Sequence, residues 1–561
     1  MFRIAVIFIG IVLFFPLSTT NAQQRPNERR EGEQRKKFNS NQQLPLQKSL
    51  QSPMIANVSS QNPFDSKLEF KPKNKIDVLI AASLKRHKIE PSKLCSDEVF
   101  IRRVYLDTIG TLPDAQTVKD FLADKKTDKR SKLIDRLLAQ NEFIDYWTLK
   151  WCDILRVKAE FPINLWPNGA MTYYRWIHEA IRTEMPYHQI ARTLLTADGS
   201  NFRDGASNFY RAVPQKDAET LAENVALTFL GVRTGSWTPE KLQQLSVFFS
   251  RVGYKETAEW KEEIVFWIRK PLDFPEVIFP DGTKGTIRVD QDPREVFADW
   301  LISPSNKGFN QNIANRVWFW LFGRGLVHES DDFRPDNPPV HPEVLDYLCQ
   351  ELIDSGYRLK HLYRLILNSS TYQQSSIPSS KNQNNDLNVT ELFASYPIRR
   401  MEAEVLQDAL SQIFEIPVGY SSEVPEPFTN IPARYRTIML PDASITSSFL
   451  EMFGRPTRDT GMESDRNNGV TESQQLFLLN STEVNNWVMK FLLNYRNINR
   501  KPEEIHKMID DIWLRFLSRY PTASELRIAA EELRQQEKTG GQKVQDIVWA
   551  LLNTKEFLCR H

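Results

Sequence analysis

Residues 292–348 read DPREVFADWLISPSNKGFNQNIANRVWFWLFGRGLVHESDDFRPDNPPVHPEVLDYL, and no other stretch packs so many aromatic, arginine, acidic and turn residues together. The segment opens with Asp292-Pro293, an N-cap residue followed by proline at the first helical position, so it predicts a helix. A second predicted helix, over residues 313–321, is apolar on nearly all sides. Such a helix is expected in the centre of a folded body rather than on its surface.

Helical spacing of apolar residues dominates the chain on both sides of this segment. It runs from residue 76 to about residue 255, where strand-like alternation is scarce. Between residues 263 and 289, two β-rich runs flank a Pro-Asp-Gly turn and predict a short β-hairpin at a domain junction. The Pro-rich stretch 416–441 has no helical period, so we expect it to wrap over a surface. The predicted fold class is mainly α, a multi-helical two-domain body with a short β-hairpin or irregular connection.

A short pattern of two aliphatic residues, several polar residues and one aromatic residue occurs three times, in residues 137–143, 366–372 and 551–557. Each copy follows a proline-marked helix start at a distance typical of a two-helix hairpin. We therefore predict three related helix hairpins, with the aromatic residue packing back on each pair. They are interpreted as framework rather than as a binding repeat. The prolines are Pro113, Pro342 and Pro521.

The N-terminus has the features of an export signal. Residues 1–22 combine an early arginine, an apolar run and a small residue at a cleavage position, which predicts a signal peptide. The run is short for a membrane span of roughly 20 residues, although an uncleaved anchor is the alternative. The chain is predicted to be exported, periplasmic or secreted, without a membrane span after cleavage. The predicted divisions are a signal peptide (1–22), a disordered polar linker (23–74), an N-terminal helical domain (75–255), a β-containing connector (256–291) and a C-terminal helical domain (292–561).

Charge and motif content exclude several function classes. The 72 basic and 71 acidic residues nearly cancel, so no broad attraction to nucleic acid is expected. The sequence motifs of serine hydrolases, P-loop enzymes, dinucleotide-binding enzymes and zinc peptidases are absent. No cofactor is predicted. Four isolated cysteines are interpreted as small buried hydrophobes, with one or two long-range disulfides as the alternative. They are Cys95, Cys152, Cys349 and Cys559.

The loop over residues 331–341 has the densest set of side chains that could take part in catalysis or bind a metal ion. Acidic residues beside a histidine suit an acid/base pair, which makes Asp331, Asp332 and His341 the catalytic candidates. The carboxylates also suit a hard cation, for which Asp331, Asp332 and Asp336 are secondary candidates, although the spacing is not that of an EF-hand. The structural interpretation is ion pairing with nearby arginines, and a carboxylate from this loop is expected beside the arginine of the buried helix. The arginines are Arg316, Arg324 and Arg334, and all three are also candidate ligand-binding residues.

A second polar cluster lies at residues 454–466. Its arginines are predicted to bind an anionic ligand, because their forked guanidinium groups match carboxylate, sulfate or phosphate oxygens. Ion pairing within the cluster is the alternative. The candidate residues are Arg455, Arg458, Glu463, Asp465 and Arg466.

These motifs resemble a bacterial two-domain family that is abundant in planctomycetes and described as cytochrome-associated. The family combines the domains of unknown function fifteen forty-nine and fifteen fifty-three. The resemblance implies export and a mostly helical body, and it implies no established reaction. The motifs that carry it include Arg103-Val104-Tyr105-Leu106-Asp107, Gly110-Thr111-Leu112-Pro113, Trp147 and Trp151, Phe229-Leu230-Gly231, Asn315-Arg316-Val317-Trp318, Phe322-Gly323-Arg324-Gly325, Asp331-Asp332-Phe333, His341-Pro342-Glu343 and Phe453-Gly454-Arg455-Pro456.

The chain departs from that family pattern in two places. Relatives often have a Cys-x-x-Cys-His segment where this chain has residues 231–237, and Cys-x-Cys where it has Met462-Glu463-Ser464. Serine and methionine do not replace a thiolate as a metal ligand or disulfide partner, so haem or iron–sulfur function is not expected here. Our hypothesis is that the two segments form one site in relatives and that this chain has lost it as a unit. Gly235 and Met462 are then expected to share a pocket.

The sequence supports two interpretations of function. The preferred one is a non-catalytic binding or scaffold protein for an unknown extracytoplasmic protein or carbohydrate partner. The alternative is a hydrolase of an extracellular polymer or a sulfated or phosphorylated sugar, with Asp332 and His341 as acid and base. In either case we expect the site where the 331–341 loop meets the 455–466 loop.

Overall fold

The computed structural model of the chain describes Phe64 and residues 68–270, 276–382, 389–495, 501–534 and 540–561. The predicted signal peptide and most of the predicted linker lie outside the described residues. Residues 68–74 of that linker contact the folded body: the backbone N–H of Leu94 donates to the carbonyl of Leu68 (2.9 Å), and the side-chain amide of Asn74 donates to the backbone carbonyl of Leu365 (3.0 Å). Contacts with the folded body therefore begin before residue 75, where the N-terminal helical domain was predicted to start.

Helices dominate the first half of the chain. Apolar residues at helical spacing and polar N-caps, such as Ser96 and Asp114, define their starts and buried faces. The α-helices are α1 (Lys75–Arg86), α2 (Asp97–Ile109), α3 (Ala115–Ala123), α4 (Lys129–Leu138), α5 (Asn141–Ile154), α6 (Trp166–Arg182), α7 (Tyr187–Leu195), α8 (Ala218–Val225) and α9 (Pro239–Ser246).

The second half is also mainly helical, which confirms the predicted fold class. The Asp292 side chain caps the first of these helices, as predicted. They are α10 (Pro293–Leu301), α11 (Lys307–Phe322), α12 (Pro342–Asp354), α13 (Leu359–Leu367), α14 (Ala403–Phe414), α15 (Ser448–Met452), α16 (Glu472–Asn480), α17 (Thr482–Phe491), α18 (Pro502–Leu517), α19 (Ala523–Arg534), α20 (Gly540–Leu552) and α21 (Lys555–Leu558).

The strands are short and antiparallel. β1 (Gly199–Ser200), β2 (Val252–Glu256) and β3 (Glu263–Trp267) form a small sheet in the order β1-β3-β2, which the sequence did not predict. β4 (Glu276–Ile278) and β5 (Lys284–Thr286) form the predicted hairpin, although its second strand begins and ends earlier than expected. β6 (Arg399–Arg400) pairs with β7 (Cys559–Arg560).

Helix α2 lies in the centre of the body, and eleven of its thirteen residues are buried. Two of them, Arg102 and Arg103, donate hydrogen bonds to backbone oxygens of the C-terminal half. The side chains act as cross-links because each buried guanidinium group needs several acceptors. The acceptors are Phe516 and Phe557 for Arg102, and Tyr372, Gln374 and His561 for Arg103, at 2.7–2.8 Å.

Asp107, one helical turn further along α2, is the fully buried centre of a larger cross-link. Its carboxylate accepts hydrogen bonds from the hydroxyls of Tyr372 and Tyr396 (both 2.8 Å). It also pairs with the guanidinium groups of Arg399 (2.6 Å) and Arg560 (3.1 Å). A carboxylate is stable away from water only with this degree of compensation, so the surrounding elements depend on one another.

The hydrophobic core is continuous across the two predicted domains. The buried apolar residues of both form one cluster. Trp147 of α5 contacts Trp320 of α11 (ring centroids 5.4 Å apart) and Tyr363 of α13 (4.1 Å). Helix α11 is buried along nearly its whole length, as its apolar sequence predicts.

The predicted hairpins correspond to consecutive helices. Helix α12 packs on α13, and α19 packs on α20. The remaining predicted hairpin, which starts at Pro113, corresponds to the consecutive helices α3 and α4. The aromatic residues that close the repeated pattern, Phe143, Tyr372 and Phe557, are each at most 3% exposed. The pattern therefore describes framework, as interpreted from the sequence.

Replacing Asp107 with alanine is expected to lower the free energy of unfolding by about 3–5 kcal/mol, because Arg399 and Arg560 lose the buried carboxylate that they share. Denaturant unfolding followed by circular dichroism measures this change. The matched control is Asp135→Ala, which removes a surface pair with Arg364 (side chains 48% and 55% exposed) and should change stability by at most about 1 kcal/mol. Equal effects of the two substitutions would contradict the role given to Asp107.

All four cysteines are free thiols in the structure. Burial raises the pKa of Cys152 and of Cys349 to about 12, so neither thiol is expected to react with a thiol reagent in the native protein at pH 8. After denaturation without reductant, all four should react. Titration of fewer than four thiols in denatured protein would indicate a disulfide and contradict this assignment.

Candidate functional site

The two loops that the sequence analysis expected to meet do meet, at Asp331. The backbone N–H of Glu463 donates to one carboxylate oxygen of Asp331 (3.1 Å). Arg233 donates to the other oxygen (2.9 Å). The Asp331 side chain is fully buried, whereas that of Arg233 is 31% exposed. We call the group Arg233, Asp331, Glu463 and Arg316 the Asp331 junction.

The junction contains both segments in which a departure from the family pattern was inferred from the sequence. Arg233 belongs to residues 231–237 and Glu463 to residues 462–464, and both contact Asp331. The backbone N–H of Phe333 also donates to the carbonyl of Gly231 (2.9 Å). The two segments therefore share Asp331 as a neighbour, while the expected pocket between Gly235 and Met462, and the single site in relatives, stay predictions.

Arg316 of α11 has a different partner from the one expected. Asp331 or Asp332 was expected as its partner, but the carboxylate nearest to its buried guanidinium group is that of Glu463 (3.8 Å). Arg316 also donates to the carbonyl of Thr228 (2.9 Å). That carbonyl belongs to the last helical turn before Gly231, where carbonyls lack partners within the helix. Proximity along the sequence was therefore a poor guide to this ion pair.

Glu463 has a strongly perturbed carboxyl group. Its pKa is raised to about 7, chiefly by burial and also by Asp331, while Arg316 and Lys150 act in the opposite direction. The indole N–H of Trp320 donates to the same carboxylate (2.6 Å). A carboxyl group that changes charge near neutral pH is typical of functional sites, but ion-pair networks in a protein core also produce it.

The candidate ligand-binding arginines of the 454–466 loop are paired with carboxylates inside the protein. Arg458 pairs with Asp153 of α5 (2.8 Å), and Arg466 pairs with Asp153 and with Glu404 of α14 (both 2.6 Å). Arg455 lies 3.7 Å from Glu404. The side chains of these three arginines are 0–8% exposed. They hold α5, α14 and the 454–466 loop together and present no open anion site.

The carboxylates proposed for a cation are paired with arginine. Arg334 lies 3.1 Å from Asp332 and 3.5 Å from Asp336, and Arg324 lies 3.4 Å from Glu391. Among the described residues, no group of three or more potential ligands is arranged to hold a metal ion.

Asp465 lies at the edge of the second loop and accepts a hydrogen bond from the backbone N–H of Thr460 (3.3 Å). Burial raises the pKa of its carboxyl group. The contact is within the loop, so Asp465 helps to shape the loop and does not extend the Asp331 junction.

His341 does not pair with the acidic residues of its own loop. Its ring nitrogens lie 3.0 Å from the hydroxyl of Ser83 and 3.0 Å from the carbonyl of Leu392. The residue is fully buried, and burial lowers the pKa of its imidazole. With both nitrogens engaged by neutral groups, the ring has no free position for proton transfer to a substrate.

A solvent-exposed feature that the sequence analysis missed lies elsewhere. The rings of Trp166, Trp260 and Phe428 are in mutual contact, with centroids 4.7–5.7 Å apart. Trp260 is 62% exposed and Phe428 is 49% exposed. We call these three residues the aromatic surface. They come from three distant segments with no shared motif, so no local sequence signal could have identified them.

The fold defines a mainly helical protein whose two halves share one core and a buried network of ion pairs. A family model described as PSCyt2, a protein of unknown function (DUF1549), matches residues 75–235. A second model, PSD1, a protein of unknown function (DUF1553), matches residues 293–533. The chain belongs to the family that combines these two domains, which confirms the resemblance seen in the sequence. No curated protein and no solved structure matches the chain.

The raised pKa of Glu463 makes stability depend on pH. The unfolded chain releases this proton near pH 4.5 and the folded chain near pH 7, so the contribution to stability is complete below pH 4.5 and is lost as the pH rises to 7. Glu463→Gln, which is neutral throughout, should therefore be more stable than the original protein at pH 8, by about 3 kcal/mol. The difference should shrink towards pH 4.5.

Thermal unfolding across this pH range measures the effect. The control is Glu472→Gln, at an exposed position in the first turn of α16, which changes the net charge equally and should show no such trend. A Glu463→Gln variant that is less stable than the original protein at pH 8 would show that the ionised carboxylate is required by Arg316.

Proposed function

We propose that this chain is an exported, non-catalytic protein that binds a polysaccharide through the aromatic surface. The observation that supports the proposal most directly is the exposure of Trp260 and Phe428 beside Trp166. Large aromatic groups are normally removed from water, and a contiguous exposed group is typical of an interaction site. The C–H face of a sugar ring is apolar and flat enough to stack on such a ring, which accounts for the choice of ligand.

The size of the aromatic surface favours a sugar over a protein partner. An aromatic side chain buries roughly 150–250 Å², and these side chains are already partly covered. Three of them therefore provide less than the roughly 800 Å² that each partner contributes to a standard protein interface. One or two sugar rings require a much smaller area.

Polar groups surround the aromatic surface, as binding of sugar hydroxyls requires. The ammonium group of Lys261 lies 5.7 Å from the ring centroid of Trp260 and 5.9 Å from that of Trp166. Arg203 lies 3.9 Å from Glu259, the residue before Trp260, and its side chain is 73% exposed. Guanidinium, ammonium and carboxylate groups supply the donors and acceptors that hydroxyl groups use.

The folded body fixes the relative positions of the three rings before any ligand arrives. Trp166 begins α6, Trp260 lies in the turn between β2 and β3, and Phe428 lies in the irregular stretch 416–441 that was expected to wrap over a surface. Their ring planes are inclined by 57–72° to one another. A preformed surface loses little conformational entropy on binding.

The hydrolase alternative has no comparable support. Of its two candidate groups, His341 is engaged by Ser83 and Leu392, and Asp332 is paired with Arg334. The anion-binding arginines of the 454–466 loop are likewise paired with Asp153 and Glu404. We therefore place ligand binding on the aromatic surface and assign the two polar loops to the framework.

Affinity electrophoresis in native gels tests the proposal. Neutral, uronic-acid and sulfated polysaccharides are embedded in separate gels, and at least one should retard the protein. Trp260→Ala should weaken that retardation by about tenfold or more in apparent affinity, about 1.4 kcal/mol.

The matched control is Trp237→Ala, at a half-buried tryptophan that contacts Lys241 and should keep normal retardation. Lys261→Gln distinguishes neutral from acidic ligands, because loss of the ammonium charge should reduce retardation most in the gels that contain acidic polysaccharides. Retardation by none of the polymers, or equal retardation of Trp260→Ala and the original protein, would contradict the proposal.

A further inference from the structure

A small cavity lies between α5, α6, α7 and α13, away from the aromatic surface. Its volume is about 40 Å³. Four of its lining residues are aromatic, namely Phe143, Trp147, Trp151 and Tyr363, and each is at most 3% exposed. Since roughly 10–15 Å³ in this measure holds one water molecule, the cavity accommodates about three groups of the size of a methyl group.

Several contacts hold the residues that line this cavity in place. The indole N–H of Trp147 donates to the carbonyl of Thr108 (3.1 Å), and the Trp147 ring packs on Tyr363 and on Trp320. At the mouth, the ammonium group of Lys360 pairs with Glu184 (2.7 Å). Preformed, mostly apolar cavities with a few polar groups at the edge are typical of small-molecule sites.

One polar group in the wall lacks a partner. The hydroxyl of Tyr363 is buried and makes no hydrogen bond within the part of the chain that the structure describes. Burial also raises the pKa of this phenol well above its usual range, so the hydroxyl keeps its proton and remains a donor. Leaving such a group unpaired costs about 1–3 kcal/mol, but its oxygen is inaccessible, so a ligand in the cavity meets the ring of Tyr363 and not its hydroxyl.

The mouth of the cavity has an environment that favours an anion. Arg358 lines it, is exposed, and has no ion-pair partner among the described residues. The same residue is the N-cap of α13, where no side chain caps the helix. An open helix N-terminus and a free guanidinium group both favour a carboxylate at this position.

We propose that this cavity binds a short, branched aliphatic carboxylate. The hydrocarbon branch occupies the space between Trp147, Trp151 and Tyr363, and the carboxylate lies at the mouth with Arg358. The volume limits the apolar part to about three or four carbon atoms. The proposal is independent of polysaccharide binding, because it involves a different surface of the protein.

Saturation-transfer NMR with isovalerate and the full chain tests this site. The isovalerate methyl groups should receive saturation from the protein, while acetate and the uncharged analogue isoamyl alcohol should receive much less. Arg358→Gln should weaken isovalerate binding about tenfold, since it removes a charge-assisted hydrogen bond. Ala180→Leu should abolish binding, because Ala180 lines the cavity and is 3% exposed, so a larger side chain there fills it.

Arg364→Gln is the matched control, since Arg364 lies on the same helix but pairs with Asp135 (3.0 Å), and it should bind isovalerate normally. Circular dichroism confirms that each variant is folded, and Arg358→Gln, at an exposed position, keeps the test decisive if Ala180→Leu does not fold. No saturation of isovalerate would overturn the proposal. So would equal binding of isoamyl alcohol, or equal binding by Arg358→Gln and Arg364→Gln.

Discussion

The buried carboxylate of Asp107 is the constraint on which the rest of the structure depends. It is compensated by two tyrosines and two arginines, and one of these partners, Arg560, is 453 positions away along the chain. A carboxylate without these partners would carry a desolvation penalty of several kcal/mol. The N-terminal helix α2 and the pair of strands β6 and β7 therefore have to be in place together. The matched family domains are distinct in sequence, but they share one interior.

Pairing of buried charges also explains why polar residues that looked functional belong to the framework. Charges inside a protein are stable when opposite charges neutralise them, and the arginines of the 454–466 loop have Asp153 and Glu404 for this purpose. Asp331 similarly connects Arg233 to the loop of Glu463. A dense polar motif in the middle of a sequence thus marks the packing of α5, α11 and α14. The two ligand sites that we propose lie where aromatic groups remain uncovered or line a cavity.

More of the fold than of the candidate site could be predicted from the sequence. Helical periodicity identified the buried helix α11 and the hairpins, because both depend on residues close together in sequence. The three-stranded sheet was missed because β1 has only two residues and pairs with β3 across a long separation. The meeting at Asp331 was anticipated, but the partner of Arg316 was not, since charge alone does not select one carboxylate among several. The aromatic surface had no sequence signal because Trp166, Trp260 and Phe428 meet only after folding.

The central claim is that the two family domains form one cooperative unit around α2. Differential scanning calorimetry of the full chain tests this claim most directly, because it compares the measured enthalpy of unfolding with the van't Hoff enthalpy. The account predicts one transition in which the two enthalpies agree. Two separate transitions, or a van't Hoff enthalpy well above or below the measured one, would contradict it.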